Sequence, residues 1–134
     1  MEFSEIDEID KNLIEEASGV LERNYFYLRH TVGSAVMCSS GKIYTGINIE
    51  TVGYGPCAEA IAIGCAISRG ERRMERIVTV GGPAVPRIVI SPCGNCRQLL
   101  IDYAPDCWVV LPHEGKIMKI KARELLPDAY KHFG

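Results

Sequence analysis

The chain predicts an α/β sandwich built around a mixed sheet. Two observations carry that expectation: an amphipathic helical stripe near the N-terminus is followed by a hairpin of β-prone residues, and beyond residue 57 helical segments alternate with short β-branched runs. From Ser4 onward, Ile6, Ile9, Leu13, Ala17, Val20 and Leu21 recur at steps of three and four, which puts them on one side of a helix. Ser4 followed by Asp7 resembles a capping box, with Asp in place of the usual Glu or Gln. Residues 32–38 and 43–49 are β-prone and flank Ser39-Ser40-Gly41-Lys42, a polar turn with the glycine that hairpins favour, so they should pair antiparallel. Residues 57–68 are apolar apart from Glu59, which predicts a helix covered on several sides and ended by Arg69-Gly70.

Residues 76–80 and 87–90 read as buried strands, with Pro83 and Pro86 marking the loop between them. Helical character returns over 97–103 and stops at Ala104-Pro105. Strands over 108–111 and 117–120 surround a His113-Glu114-Gly115 turn, and a short helix over 123–126 is stopped by Pro127. No internal repeat or low-complexity stretch interrupts this order.

With 134 residues, 47% of them hydrophobic and 24% charged, the chain has the material for one packed core and one domain. A net charge of −2 supplies no electrostatic footprint for a polyphosphate backbone, which favours a small-molecule substrate over nucleic acid. The longest apolar run, 60–67, falls far short of the roughly 18–20 residues a membrane-spanning helix needs. Met1-Glu2-Phe3-Ser4-Glu5-Ile6 lacks a basic region leading into an apolar one, so the six cysteines point to a reducing cytoplasm rather than to disulfides. Arg69, Arg72, Arg73 and Arg76 alternate with Glu71 and Glu75 and read as a solvated connector.

Chemistry concentrates in Cys57-Ala58-Glu59 and Pro92-Cys93-Gly94-Asn95-Cys96. A lone thiol paired with a later C-x-x-C gives three sulfur ligands, and a catalytic zinc keeps its fourth position for water. Both clusters fall at loop-to-helix junctions, where unpaired N–H groups and the helix dipole offset the negative charge of three thiolates. Zinc lowers the pKa of bound water towards ~7, and thiolate ligands weaken that effect, so a neighbouring carboxylate is needed as base. Glu59 is placed to move protons between water, a ring nitrogen and a departing amine, as in zinc deaminases. Two other readings stay open. A structural zinc module would need a fourth ligand from His30, Cys38, Cys65, Cys107, His113 or His132. A thiol oxidoreductase would use Cys93 and Cys96 and leave Cys57 and Glu59 without a purpose. Cys38, Cys65 and Cys107 sit in apolar contexts and are assigned to packing.

Gly46-Ile47-Asn48-Ile49-Glu50, Gly55-Pro56-Cys57-Ala58-Glu59, Ser91-Pro92-Cys93-Gly94-Asn95-Cys96-Arg97-Gln98 and Glu124-Leu125-Leu126-Pro127 together resemble the cytidine deaminase family, and most closely its blasticidin S deaminase branch. The similarity runs from about residue 32 to 130. It implies a three-layer α-β-α sandwich with a five-stranded mixed sheet, residues 1–134 forming one zinc-dependent nucleoside deaminase domain, and assembly as a homotetramer. Zn²⁺, one per subunit, would be held by Cys57, Cys93 and Cys96, with Glu59 as the proton shuttle. Asn48 and Glu50 match the pair that binds sugar hydroxyls, chemistry suited to an amide and a carboxylate. Ala58 would present its backbone N–H to the cytosine carbonyl, and the Ser91 carbonyl would receive the amino group. Tyr130 falls where the family places an aromatic contributed to a neighbouring subunit's pocket.

The departures concern substrate preference. Ala60 replaces the arginine that usually follows the catalytic Glu, leaving Arg97 as the candidate substitute. His30 stands where the family has a base-stacking Phe, and the segment between Glu50 and Cys57 is short. These changes point away from plain cytidine, whereas Glu50 retains the carboxylate that a ribose diol requires. The expectation is hydrolytic deamination of the cytosine ring of a free nucleoside, blasticidin S or cytidine and deoxycytidine, with no nucleic acid or membrane partner. A deaminase editing cytosine in polynucleotides is the alternative within enzymes.

Overall fold

The structure, a computed structural model, describes residues 1–131. The N-terminal stripe folds as α1 (Glu8–Asn24), burying Leu13, Ala17 and Leu21. Its cap lies three residues beyond the expected one. Asp7 is the N-cap: its carboxylate accepts from the Asp10 N–H at 3.0 Å, and the Asp10 carboxylate accepts from the Asp7 N–H at 2.9 Å. Ser4 belongs instead to β1 (Ser4–Glu5), a strand too short to show a period of two.

The remaining strands are β2 (Val32–Cys38), β3 (Ile43–Ile47), β4 (Met74–Gly81), β5 (Ile88–Ile90), β6 (Trp108–His113) and β7 (Lys116–Lys121). Helices α2 (Ala58–Ser68) and α3 (Gly94–Tyr103) lie between them, and the C-terminal helix is a 3₁₀ turn over Ala122–Leu125. Strand β3 stops two residues early because the Ile49 N–H leaves the ladder for the Pro56 carbonyl, at 3.1 Å. The sheet order is β1-β7-β6-β4-β2-β3, with β5 also on β4. Its β4–β6 pair is parallel and the others are antiparallel, so the sheet is mixed as expected. The expected five strands are joined by the short β1 and β5, which raise the count to seven among the described residues. Along one edge of β4, β6 pairs with residues 76–78 and β5 with 79–81.

Alternation along the strands sends side chains to two cores. Val36, Ile77, Val109 and Ile120 pack with α2 and α3, whereas Ala35, Val78, Val80 and Val110 pack with α1. The helices therefore lie on both faces, in three layers. Glycine permits the closest helix–sheet approaches: a Cβ at Gly46 would sit 2.5 Å from the Ala62 nitrogen in α2, and one at Gly33 2.6 Å from the Ala17 carbonyl in α1.

Two further expectations change. Arg76 is not part of a solvated connector. Its guanidinium donates to Asp7 at 2.7 Å and to Asp10 at 2.9 Å, and Lys119 reaches Asp10 at 2.8 Å. Asp10 is 0% exposed, so its charge is tolerated because both cations and a backbone N–H surround it. Helix α2 buries Ala58, Glu59, Ala62, Ile63 and Ala66 against the sheet, yet Ala60, Ile61, Cys65 and Ile67 remain half-buried. Within the described residues its outer face lacks the cover that so apolar a helix predicts. Cys65 belongs to that outer face, while Cys38 and Cys107 are fully buried in the core as expected.

Candidate active site

Two helix starts create the metal centre. Cys57 is the N-cap of α2, Cys93 is the N-cap of α3, and Cys96 lies in the first turn of α3. Their three Sγ atoms lie within 4.8 Å of one another, with Cys57 Sγ 3.9 Å from Cys93 Sγ. Tetrahedral zinc with Zn–S bonds of about 2.3 Å requires S···S edges of about 3.8 Å, so the donor set fits that ion. Among the described residues no further His, Cys, Asp or Glu joins the group, and His132 lies outside them. Three protein donors is the number a catalytic zinc site uses, with its fourth position left for water.

Burial pushes the Cys57 thiol up, partly opposed by a hydrogen bond with Cys96. Burial also raises Cys96 strongly, helped by the charge of Glu59. At Cys93 desolvation acts in the same direction, but the N–H groups of Cys96 and Asn95 and the neighbouring thiols outweigh it and lower the value. Protons on Cys57 and Cys96 are thus the groups a dication would displace on binding.

Glu59, in the first turn of α2, is only 4% exposed. It lines a cavity of about 190 Å³ together with Asn48, Glu50, Cys57, Ala58, Ser91 and Cys93. Seven of the ten residues singled out from sequence therefore converge on one space, and Cys96 joins through its sulfur. His30 and Tyr130 are not in the lining. His30 Nδ1 instead donates to the Asn48 carbonyl at 2.8 Å. Tyr130 is 72% exposed, and its carbonyl accepts from Gln98 in α3 at 3.1 Å.

Asn48, 6% exposed, holds the wall around Glu50. Its Oδ1 accepts from the N–H groups of Thr31 and Val32 at 2.9 and 3.0 Å, and its Nδ2 donates to the Arg29 carbonyl and to Glu50 at 3.3 and 3.1 Å. Asn48 thus sets both the 29–32 segment and the direction of the Glu50 carboxylate.

Sequence reasoning missed Val32, Thr79 and Ile90 in the lining. Thr79 carried a weak signal, a hydroxyl between Val78 and Val80 on the face that meets α2; it donates to Ser34 Oγ at 3.2 Å. A second, open groove of about 510 Å³ was also missed. It shares Val32, Glu50 and Ile90 with the cavity and continues past Tyr25, Tyr27 and Gly82. The guanidinium of Arg97 makes its three hydrogen bonds to oxygens, not to the thiols.

Residues 7–111 match the family described as the cytidine and deoxycytidylate deaminase zinc-binding region. The chain is 39% identical to a blasticidin-S deaminase from Bacillus cereus over an alignment of 137 residues that covers 97% of this chain and 98% of that protein. It is 38% identical to a cytidine deaminase from Halalkalibacterium halodurans, covering 88% and 91% of the two chains. The crystal structure of cytidine deaminase from Burkholderia pseudomallei superposes with a TM-score of 0.74 at 36% identity, covering 90% of this chain and 98% of that one.

Proposed function

Because this chain belongs to the cytidine and deoxycytidylate deaminase family, we propose that it acts as a zinc-dependent hydrolase on the cytosine ring of a free nucleoside, with Glu59 as proton carrier. The observation that carries this reading is a cluster of three sulfurs, two of whose cysteines line a cavity of nucleobase size together with a buried carboxylate. Cys57, Cys93 and Cys96 hold the zinc. When bound, the ion supplies the Lewis acidity that brings the pKa of water towards ~7.

Glu59 takes a proton from water as its oxygen bonds to C4 of the ring, and passes that proton to the ring nitrogen. A second proton moves from the new C4 hydroxyl to the exocyclic amine through Glu59, the C4–N bond breaks as the C4 carbonyl forms, and ammonia leaves the uracil product. The Ala58 N–H, in the first turn of α2, meets the ring carbonyl, and the Ser91 carbonyl receives the amine. Glu50, directed by Asn48, accepts from sugar hydroxyls. His30 contributes at the substrate end by fixing the Asn48 backbone.

Blasticidin S, cytidine and deoxycytidine are the candidate substrates. The groove beyond Glu50 supports a substrate that extends past the sugar, as blasticidin S does with its peptidyl side. The half-covered outer face of α2 supports a homotetramer of single-domain subunits in which Tyr130 approaches a neighbouring pocket. A cytoplasmic location agrees with six free cysteines among the described residues, where no helix is long and apolar enough to cross a membrane.

Zinc-loaded protein should convert at least one of the three nucleosides to its uracil counterpart, read by ultraviolet absorbance and ammonia release. Stoichiometric zinc with no turnover of any of them would leave only a structural metal site.

A further inference from the structure

We propose that Arg97 is a positioning residue for the reaction, clamping the 91–93 wall of the pocket against the core. Pro92 in that wall is buried, and the Cys93 carbonyl accepts from the Arg97 backbone N–H at 2.9 Å. Strand β5 ends at Ile90, and Pro92 has no N–H to give. Yet the segment carries the zinc ligand Cys93 and, on the reading above, the carbonyl that receives the amine.

The Arg97 side chain supplies a further restraint from α3. Its Nε donates to the Pro92 carbonyl at 2.9 Å, Nη2 to Ser91 Oγ at 2.9 Å and Nη1 to the Leu125 carbonyl at 3.1 Å. Leu125 is a core residue, 6% exposed, in the 3₁₀ turn. One rigid fork thus joins the loop at two successive residues to a fixed point behind it. The ammonium of lysine, with one nitrogen on a flexible stem, cannot reproduce three bonds from one plane. Because all three bonds go to oxygens and none to the thiols, the task of Arg97 is mechanical.

The inference rests on the deaminase reading, so its test uses a contrast internal to that activity. Arg97→Ala, Arg97→Lys and Ser91→Ala are compared with the parent protein on a cytosine nucleoside and on its 4-methoxy analogue. In the analogue water adds to C4 and methanol leaves, with no N–H for the Ser91 carbonyl to accept. Zinc per chain is measured for each variant.

Arg97→Ala should keep zinc and lose about 10- to 100-fold in kcat on the amino substrate with KM little changed, because an ångström of misplacement is costly. Loss on the methoxy substrate should be several-fold smaller, and Arg97→Lys should not restore the difference. Ser91→Ala, which removes one of the three bonds and folds without a new cavity, should show the same pattern more weakly. Equal losses on both substrates, or loss of zinc in step with activity, would reduce Arg97 to a structural residue and overturn the proposal. A parent protein inactive on every cytosine nucleoside would instead overturn the deaminase reading.

Discussion

Gly46→Ala adds one methyl group where β3 lies against the first turns of α2. The new Cβ would lie 2.5 Å from the Ala62 nitrogen, 2.7 Å from the Ala58 carbonyl and 2.9 Å from Ile61 Cβ. Two of those neighbours are helix backbone and cannot rotate away, so restoring an ordinary 3.4 Å contact requires α2 to retreat by about 0.9 Å. Overpacking of this kind costs about 1–3 kcal/mol. For a domain of this size each kcal/mol lowers Tm by about 3–6 °C. The atoms struck belong to the first turn and a half of α2, which carries Glu59 and follows Cys57. A shift near 1 Å there should lower kcat by roughly 10²-fold. Calorimetry and absorbance kinetics on zinc-loaded protein measure both effects. Unchanged Tm with full turnover would show that β3 yields instead of the helix, refuting the rigid coupling.

Glu59→Ala should retain stoichiometric zinc, because Glu59 is outside the sulfur cluster, while losing at least ~10²–10⁴-fold in kcat. Activity close to the parent's would remove Glu59 from the chemistry. Cys93→Ala should bind markedly less zinc and melt lower, since the ion ties the starts of α2 and α3 together; undiminished metal content would contradict the ligand assignment. The Asp10 N–H bonded to Asp7, reinforced by Arg76 and Lys119, holds the Asp7 carboxyl well below its ordinary value of 3.8. A carboxyl depressed in the folded state contributes stability above its unfolded pKa and loses it as pH falls. Denaturant midpoints should therefore drop below about pH 4, and Asp7→Asn should make that drop shallower; an identical acid limb in the variant would count against the linkage.

The site was more legible than the framework that holds it. Cys57, Glu59, Cys93 and Cys96 announce themselves because metal chemistry restricts residue type and spacing within a few positions. Helix α1 and the β2–β3 hairpin were equally visible, since period and turn residues are local signals. The pairing of Arg76 with Asp10 was not, because 66 residues separate them and the alternation of arginine with glutamate looked like a solvated surface. The cap of α1 was misplaced for a related reason: Ser4-Asp7 and Asp7-Asp10 have the same spacing, and only contact with the sheet chooses between them. Thr79 offered only the weak signal of strand alternation, and the destination of Arg97 depends on the path of the 3₁₀ turn, which no local pattern encodes.

The bond from Lys119 to Asp10 spans 109 positions, so it cannot form until most of the chain has been made. While translation proceeds, α1 leaves the ribosome long before β7. Were it to dock early on β2 and β4, its enclosed carboxylate would have Arg76 but not its ammonium partner. The enclosed carboxylate thus gains its second cation only once β7 has been made.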